Sequence, residues 1–300
     1  MKNNIAVIGL GSMGYGIATS CLRSGHLVWC VDTNIDQVKA FCSQGGQATT
    51  LNSVIDKIDV VVVVVLNSVQ TEEVLFGQEG LVENLKPGTV VISCATVAPT
   101  FAIDMERRCK EFEIFYLDAP ISGGALKAKN GQLSIMASGV KEAFQHARPT
   151  LDSISETVFE LGDEAGTGSA MKSVNQLLAG VHIAVMAEAL TFGISQGISP
   201  DKFVEVISKC AGTSWMLENR APHIVNGDYK PHSSINIWPK DLGIVLDVAL
   251  ESKFNAPIAT AALEQFRTAV DMGLGFEDDA AVAKVYAKSA NLSLPKKNDV

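Results

Sequence analysis

The chain has 300 residues, 47% of them hydrophobic, and a formal net charge of −9 from 24 basic and 33 acidic side chains. With an isoelectric point near 5.1, that balance argues against nucleic acid and anionic membrane surfaces as partners. The length suits one or two domains, and a mean hydropathy of +0.21 supplies material for a large core.

Met1-Lys2-Asn3-Asn4 runs directly into a strand-like segment, so no secretory signal is expected. The longest unbroken apolar run, residues 60–66, is too short to span a bilayer. Six cysteines (Cys21, Cys30, Cys42, Cys94, Cys109, Cys210) are scattered with no C-x-x-C pair, several inside apolar segments where reduced cysteine acts as a small hydrophobe. No Cys/His cluster has metal-ligand spacing. These features read as a reduced, cytoplasmic, metal-free protein.

In chain order, strands are expected at 5–10 and 27–31 around a helix of about a dozen residues. Residues 60–65 are six consecutive valines, the pattern of a strand buried on both faces. Further strands are expected at 90–94, 115–117, 133–137 and 158–160. This rhythm implies right-handed βαβ units: an α/β fold with a doubly wound, mostly parallel sheet. After residue 162 only helical patterns follow, at about 167–196, 200–210, 213–226, 239–252, 256–272 and 279–289. Pro200 and Pro257 fall at or near helix starts. The expected domains are therefore 1–164 and 165–300, the second all-helical.

Gly9, Leu10, Gly11, Ser12, Met13 and Gly14 form G-x-G-x-x-G between an expected strand and an expected helix. The first glycine permits a tight turn, the second lets backbone approach a pyrophosphate, and the third allows close helix packing. The helix start offers unpaired N–H groups and a positive dipole end to phosphates. Asp32 ends the second expected strand, where an acid binds an adenosine ribose and repels a 2′-phosphate. Thr33 and Asn34 add no cation, so NAD is expected rather than NADP. Leu66, Asn67 and Thr96 follow two further strands and reach the same carboxyl-end edge, where ordinary loop roles compete with cofactor contact.

Ser122, Gly123 and Gly124 follow another strand and can present backbone N–H groups to a carboxylate, or form a plain turn. Between residues 166 and 187 the only fully charged side chain is Lys172. A buried lysine lowers its pKa until it trades protons near neutral pH, which makes Lys172 the candidate acid/base. A snorkelling lysine at a helix start is the competing account. Asn175 lies on the same helical face. Lys240, at another helix start, sits where a cation is unfavourable, which points to a task; capping by Asp241 and ordinary solvation form the competing account.

Four motifs in sequence, G-L-G-S-M-G, D-A-P-I-S-G-G, G-T-G-S-A-M-K-S-V-N and K-D-L-G, resemble those of the β-hydroxyacid dehydrogenase family, which includes 3-hydroxyisobutyrate dehydrogenase and tartronate semialdehyde reductase. The resemblance spans nearly the whole chain. It implies a Rossmann-type domain followed by an all-α domain joined through a long helix, as in 6-phosphogluconate dehydrogenase. It also implies Lys172 as the catalytic residue, Asn175, Ser122, Gly123 and Gly124 as substrate ligands, and Thr96 and Lys240 as cofactor contacts. A homo-oligomer, dimer or tetramer, is implied as well. Residues 176–184, 214–220, 227–233 and 277–282 look most like the branch that oxidises the 2-hydroxyl of four-carbon sugar acids such as L-threonate.

A polyhydroxylated substrate needs polar contacts, and His182, Trp215, Asn219, Arg220, His232 and Trp238 are available. His182 lies ~15 Å along an ideal helix from Lys172, too far to share a reacting carbon. Imine reductases resemble this architecture but usually lack the lysine at this position, so Lys172 counts against that reading. A non-catalytic dinucleotide sensor would have no use for the carboxylate turn and the Lys-Asn pair together.

Overall fold

The computed structural model describes residues 2–48 and 53–297. Of the polar C-terminal end, residues 298–300 lie outside that range. Strand β1 (Asn4–Ile8) leads into α1 (Gly14–Arg23), followed by β2 (Leu27–Val31), α2 (Ile35–Cys42) and the short β3 (Gln47–Ala48). Then come β4 (Val60–Val63), α3 (Ser68–Phe76), β5 (Val90–Ser93), α4 (Pro99–Lys110) and β6 (Phe115–Asp118). These six strands form one sheet in the order β3-β2-β1-β4-β5-β6, every pairing parallel.

Alternation along the strands supplies two cores. Ile5, Val7, Val60, Val62, Val90 and Ile92 face one side, and Ala6, Ile8, Val61, Val63, Val91 and Tyr116 face the other, all buried. A sheet coated on both faces needs apolar residues at every position, which is why the valine run reads as it does. The strand stops at Val63 rather than Val65, and β1 at Ile8 rather than Leu10, because Gly9 turns out of the sheet with φ +94°.

A second sheet was not expected as such. β7 (Ile121–Ser122), β8 (Leu133–Ala137) and β9 (Ser155–Glu160) form it in that order, with α5 (Gly124–Asn130) and α6 (Lys141–Ile154) between them. β7 pairs antiparallel with β8, and β8 parallel with β9.

The chain divides into two compact units, Met1–Lys172 and Ser173–Val300. The division falls inside helix α7 (Thr167–Ser195) rather than at the composition change near 162–166, because the first turns of α7 are bonded to residues of the first unit. The second unit contains the rest of α7 with α8 (Pro200–Ile207), α9 (Trp215–Val225), α10 (Ile237–Glu251), α11 (Pro257–Asp271) and α12 (Ala283–Ser289). Ile183, Met186, Leu190, Leu217, Trp238, Leu263 and Phe266 form its core. The expected helix at 279–289 opens as a 3-10 turn over Asp279–Val282, capped by Asp278 on the Ala280 N–H. By length and composition α7 is apolar enough to cross a membrane. Five of its apolar side chains, Ile183, Ala184, Met186, Ala187 and Leu190, are buried in the second core.

All six cysteines are free. Burial pushes the Cys21, Cys94 and Cys109 thiols up to about 12, so they behave as small hydrophobes.

Candidate active site

In the first unit, every loop singled out in the sequence leaves the carboxyl end of a parallel strand. Gly9 follows β1, Asp32 follows β2, Leu66 and Asn67 follow β4, Thr96 follows β5, and Ser122 follows β6 by way of Pro120 and β7. Open parallel sheets bind ligands at that edge.

The glycine loop is shaped for close approach. Gly9 donates its N–H to Val31 O, and a Cβ there would lie 2.5 Å from Val64 O. A Cβ at Gly14 would lie 1.9 Å from Gly9 O, so α1 can start this close to β1 only with glycine. At Gly11 a Cβ meets nothing within 4 Å, which leaves its backbone open to a ligand. No side chain caps the start of α1, so its first N–H groups and dipole face outward. Leu10, Gly11, Ser12, Tyr15, Asp32, Asn34 and Gln37 line a cleft of about 370 Å³.

Asp32 is fixed at that cleft by two backbone donors: its Oδ2 accepts a short hydrogen bond from Leu10 N–H, and its Oδ1 one from Asn34 N–H at 2.6 Å. Each oxygen keeps a lone pair for a sugar hydroxyl. The lining holds no lysine or arginine to meet a 2′-phosphate. An open glycine cradle beside an acidic acceptor fits NAD.

Asn67 caps α3, its Oδ1 accepting Gln70 N–H at 2.9 Å, while Leu66 N–H donates to Gln70 Oε1 at 2.8 Å. Thr96 is half-buried just past β5. Gly123 and Gly124 have φ +134° and +77°, a left-handed pair that L-residues with a Cβ rarely adopt, so the turn after Ser122 depends on glycine.

Lys172 is 7% exposed and donates from Nζ to Ile121 O at 2.8 Å. Its ammonium is thus tied to the residue that precedes the Ser122 turn, and the snorkelling account does not hold. What aims it is a group of residues without an assigned role in the sequence reading. Asp118, at the end of β6 and 1% exposed, accepts from Gly166 N–H (3.0 Å), Ser169 N–H (2.7 Å) and the Ser169 hydroxyl (2.6 Å). The Ser138 hydroxyl oxygen accepts from Gly168 N–H at 3.0 Å. Together they satisfy the first turn of α7 and fix its rotation one turn before Lys172. Burial raises the Asp118 carboxyl above the ordinary range, opposed by the hydrogen bonds from Ser169 and Gly166. Asp118 and Ser169 both lie inside quoted motifs, yet their pairing spans 51 residues and leaves no local signal.

In the second unit, Asn175 stands one helical turn beyond Lys172 on α7, and Lys240 lies in the first turn of α10 with Nζ 2.7 Å from Asp241 Oδ1. Four of the polar residues considered for substrate contact are engaged structurally. Buried Arg220 donates from Nε to Asp279 Oδ1 at 2.6 Å and from Nη1 to Asn219 Oδ1, and Trp238 Nε1 donates to Asp279 Oδ2 at 3.0 Å. The His232 ring meets His223 edge-on at 4.7 Å.

The NAD-binding domain family of 6-phosphogluconate dehydrogenase matches residues 4–162, and the NAD-binding family of NADP-dependent 3-hydroxyisobutyrate dehydrogenase matches residues 166–286. L-threonate dehydrogenase of Cupriavidus necator is 46% identical over 287 residues, covering 95% of this chain and 97% of that protein. L-threonate dehydrogenase of Escherichia coli K12 is 42% identical over 286 residues, 95% of each. The crystal structure of 3-hydroxyisobutyrate dehydrogenase from Salmonella typhimurium superposes with a TM-score of 0.90 at 40% identity, covering 95% of this chain and all of that one. The chain belongs to the β-hydroxyacid dehydrogenase family. It is an NAD-dependent oxidoreductase acting on the CH–OH group of a hydroxy acid.

Proposed function

We propose that the chain oxidises the 2-hydroxyl of L-threonate, or of a closely related four-carbon sugar acid, to the 2-oxo acid, with Lys172 as general base. The observation that carries this reading is Lys172, buried and held at 2.8 Å from Ile121 O beside the glycine turn. The extent of identity to L-threonate dehydrogenases supports the substrate.

Ser122 and the backbone N–H groups of Gly123 and Gly124 hold the substrate carboxylate, which sets the orientation of the adjacent carbon. Asn175 binds a substrate hydroxyl. Neutral Lys172 removes the proton from the 2-hydroxyl as the C2–H bond breaks, and the C–O single bond becomes a carbonyl. NAD held at the glycine loop would supply the hydride acceptor. In reverse, the Lys172 ammonium returns the proton to the oxo oxygen. Gly9, Leu10, Gly11, Ser12, Met13 and Gly14 cradle the pyrophosphate, Asp32 the ribose, and Leu66, Asn67, Thr96 and Lys240 complete the cofactor contacts.

The Salmonella typhimurium structure favours a second substrate, 3-hydroxyisobutyrate. A panel of L-threonate, D-glycerate and 3-hydroxyisobutyrate with NAD and NADP, followed by absorbance of the reduced nicotinamide, separates the readings. L-threonate with NAD should give the highest kcat/KM. Preference for 3-hydroxyisobutyrate would replace the substrate, and equal use of NADP would remove the role given to Asp32.

The protein acts in the cytoplasm as a homo-oligomer, a dimer or tetramer. The small residues of α7 do not support this directly, because Gly180 packs on Trp238 and Leu242, and Ala184 and Ala187 are buried in the second core. Support comes from Leu178, Val185 and Phe192, spaced by seven on α7 and half or more exposed, a stripe suited to a second copy. Light scattering at micromolar concentration measures the assembly mass.

A further inference from the structure

A line of hydrogen bonds in the second unit runs from α7 to α10. Asn175 Nδ2 donates to Gln176 Oε1 at 2.9 Å, and Gln176 Nε2 donates to Asp241 Oδ2 at 2.5 Å. Lys240 Nζ lies 2.7 Å from Asp241 Oδ1. Gln176 is 7% exposed and Asp241 2%, so water competes little for these bonds.

The order of donors along this line is forced. A carboxylate paired with a lysine only accepts hydrogen bonds, so Gln176 must turn its NH2 toward Asp241. Its carbonyl then points to Asn175 and can only accept, so Asn175 must offer its NH2. An isolated asparagine amide flips freely and presents either end; this one cannot. Its Oδ1 and its second N–H face away from Gln176.

We infer that Gln176, anchored by Asp241, is a positioning residue that fixes which end of the Asn175 amide meets the substrate. Asn175 then keeps Oδ1 as an acceptor and one N–H as a donor in a fixed arrangement, which suits an acid whose additional hydroxyl can pair with them. The inference rests on the reading of Asn175 as a substrate ligand. Gln176 itself touches no reacting atom. A site whose polar group is locked discriminates more sharply than one that can flip to suit either partner.

The test is a double-mutant cycle on the full chain with L-threonate and saturating NAD, repeated with 3-hydroxyisobutyrate should the panel favour it. Gln176→Met keeps the volume and removes both polar ends. It should raise KM for the acid about tenfold, the size of one lost hydrogen bond, with KM for NAD unchanged. In an Asn175→Ala background the same substitution should add no further loss, because its effect passes through Asn175. Losses that multiply, or wild-type kinetics for Gln176→Met, overturn the inference. Wild-type kinetics for Asn175→Ala alone would instead remove Asn175 from the site, a failure of the parent reading that the cycle identifies. Gln176→Leu serves the same cycle if the Met variant does not fold.

Discussion

The carboxylate of Asp118 accepts both the backbone N–H and the hydroxyl of Ser169, at 2.7 and 2.6 Å. This one residue, where the parallel sheet ends, holds the start of the helix that carries Lys172. Acid/base chemistry needs Nζ placed to within a fraction of an ångström, and a long flexible side chain inherits that precision from its backbone.

Asp118 variants should separate by shape rather than by charge. In Asp118→Asn the remaining oxygen can accept the Gly166 and Ser169 N–H groups, while its NH2 donates to the Ser169 hydroxyl, which rotates to accept. A neutral residue also removes a charge whose burial already raises the carboxyl. A stability loss of about 1 kcal/mol and kcat within about tenfold of wild type are expected. Asp118→Ala leaves two buried N–H groups without acceptors and should cost about 3 kcal/mol and at least about a hundredfold in kcat. Thermal melts and steady-state rates check both.

Gly123→Ala tests the carboxylate turn. At φ +134° a Cβ is strained, and it would also lie 2.8 Å from Lys127 Cδ. The strain should cost about 1–3 kcal/mol. Since the turn moves, KM for the hydroxy acid should rise while KM for NAD stays near wild type. Equal increases in both would place Gly123 outside substrate binding.

The acid limb of stability should owe part of its shape to Asp278. Burial pushes this carboxyl up, but hydrogen bonds from His223 and from the His232 and Ala280 N–H groups outweigh it and bring it down to about 2. A carboxyl held below its unfolded value, near 3.9, contributes stability present above pH ~4 and lost as the pH falls toward 2. The contribution is about 2 kcal/mol. Denaturant unfolding of wild type and Asp278→Asn should therefore differ at pH 7 and converge between pH 4 and 2.

Much of this site was legible in the sequence because its pieces are local. The glycine loop, the valine strand, the Ser122 turn and the lone charge of α7 each occupy a few consecutive residues whose types have physical reasons. The three-stranded sheet was harder to see: β7 has two residues, too few to show a period, and its partner is antiparallel although the surrounding pattern implies parallel pairing. The long-range polar pairs were hardest of all. Asp118 with Ser169, Gln176 with Asp241 and Arg220 with Asp279 join residues 51, 65 and 59 positions apart. Nothing in one member's neighbourhood specifies the other. Arg220 and Trp238 illustrate the consequence: both had the chemistry of substrate ligands, and both are engaged by Asp279.

The central claim is that Lys172 moves the hydroxyl proton. Lys172→Ala should lower kcat by about 10²–10⁴-fold, the range of general acid–base catalysis. Binding of NADH, read by fluorescence titration, should stay within about threefold of wild type, since the glycine loop and Asp32 are untouched. Turnover near wild type in that variant, with intact NADH binding, would contradict the account.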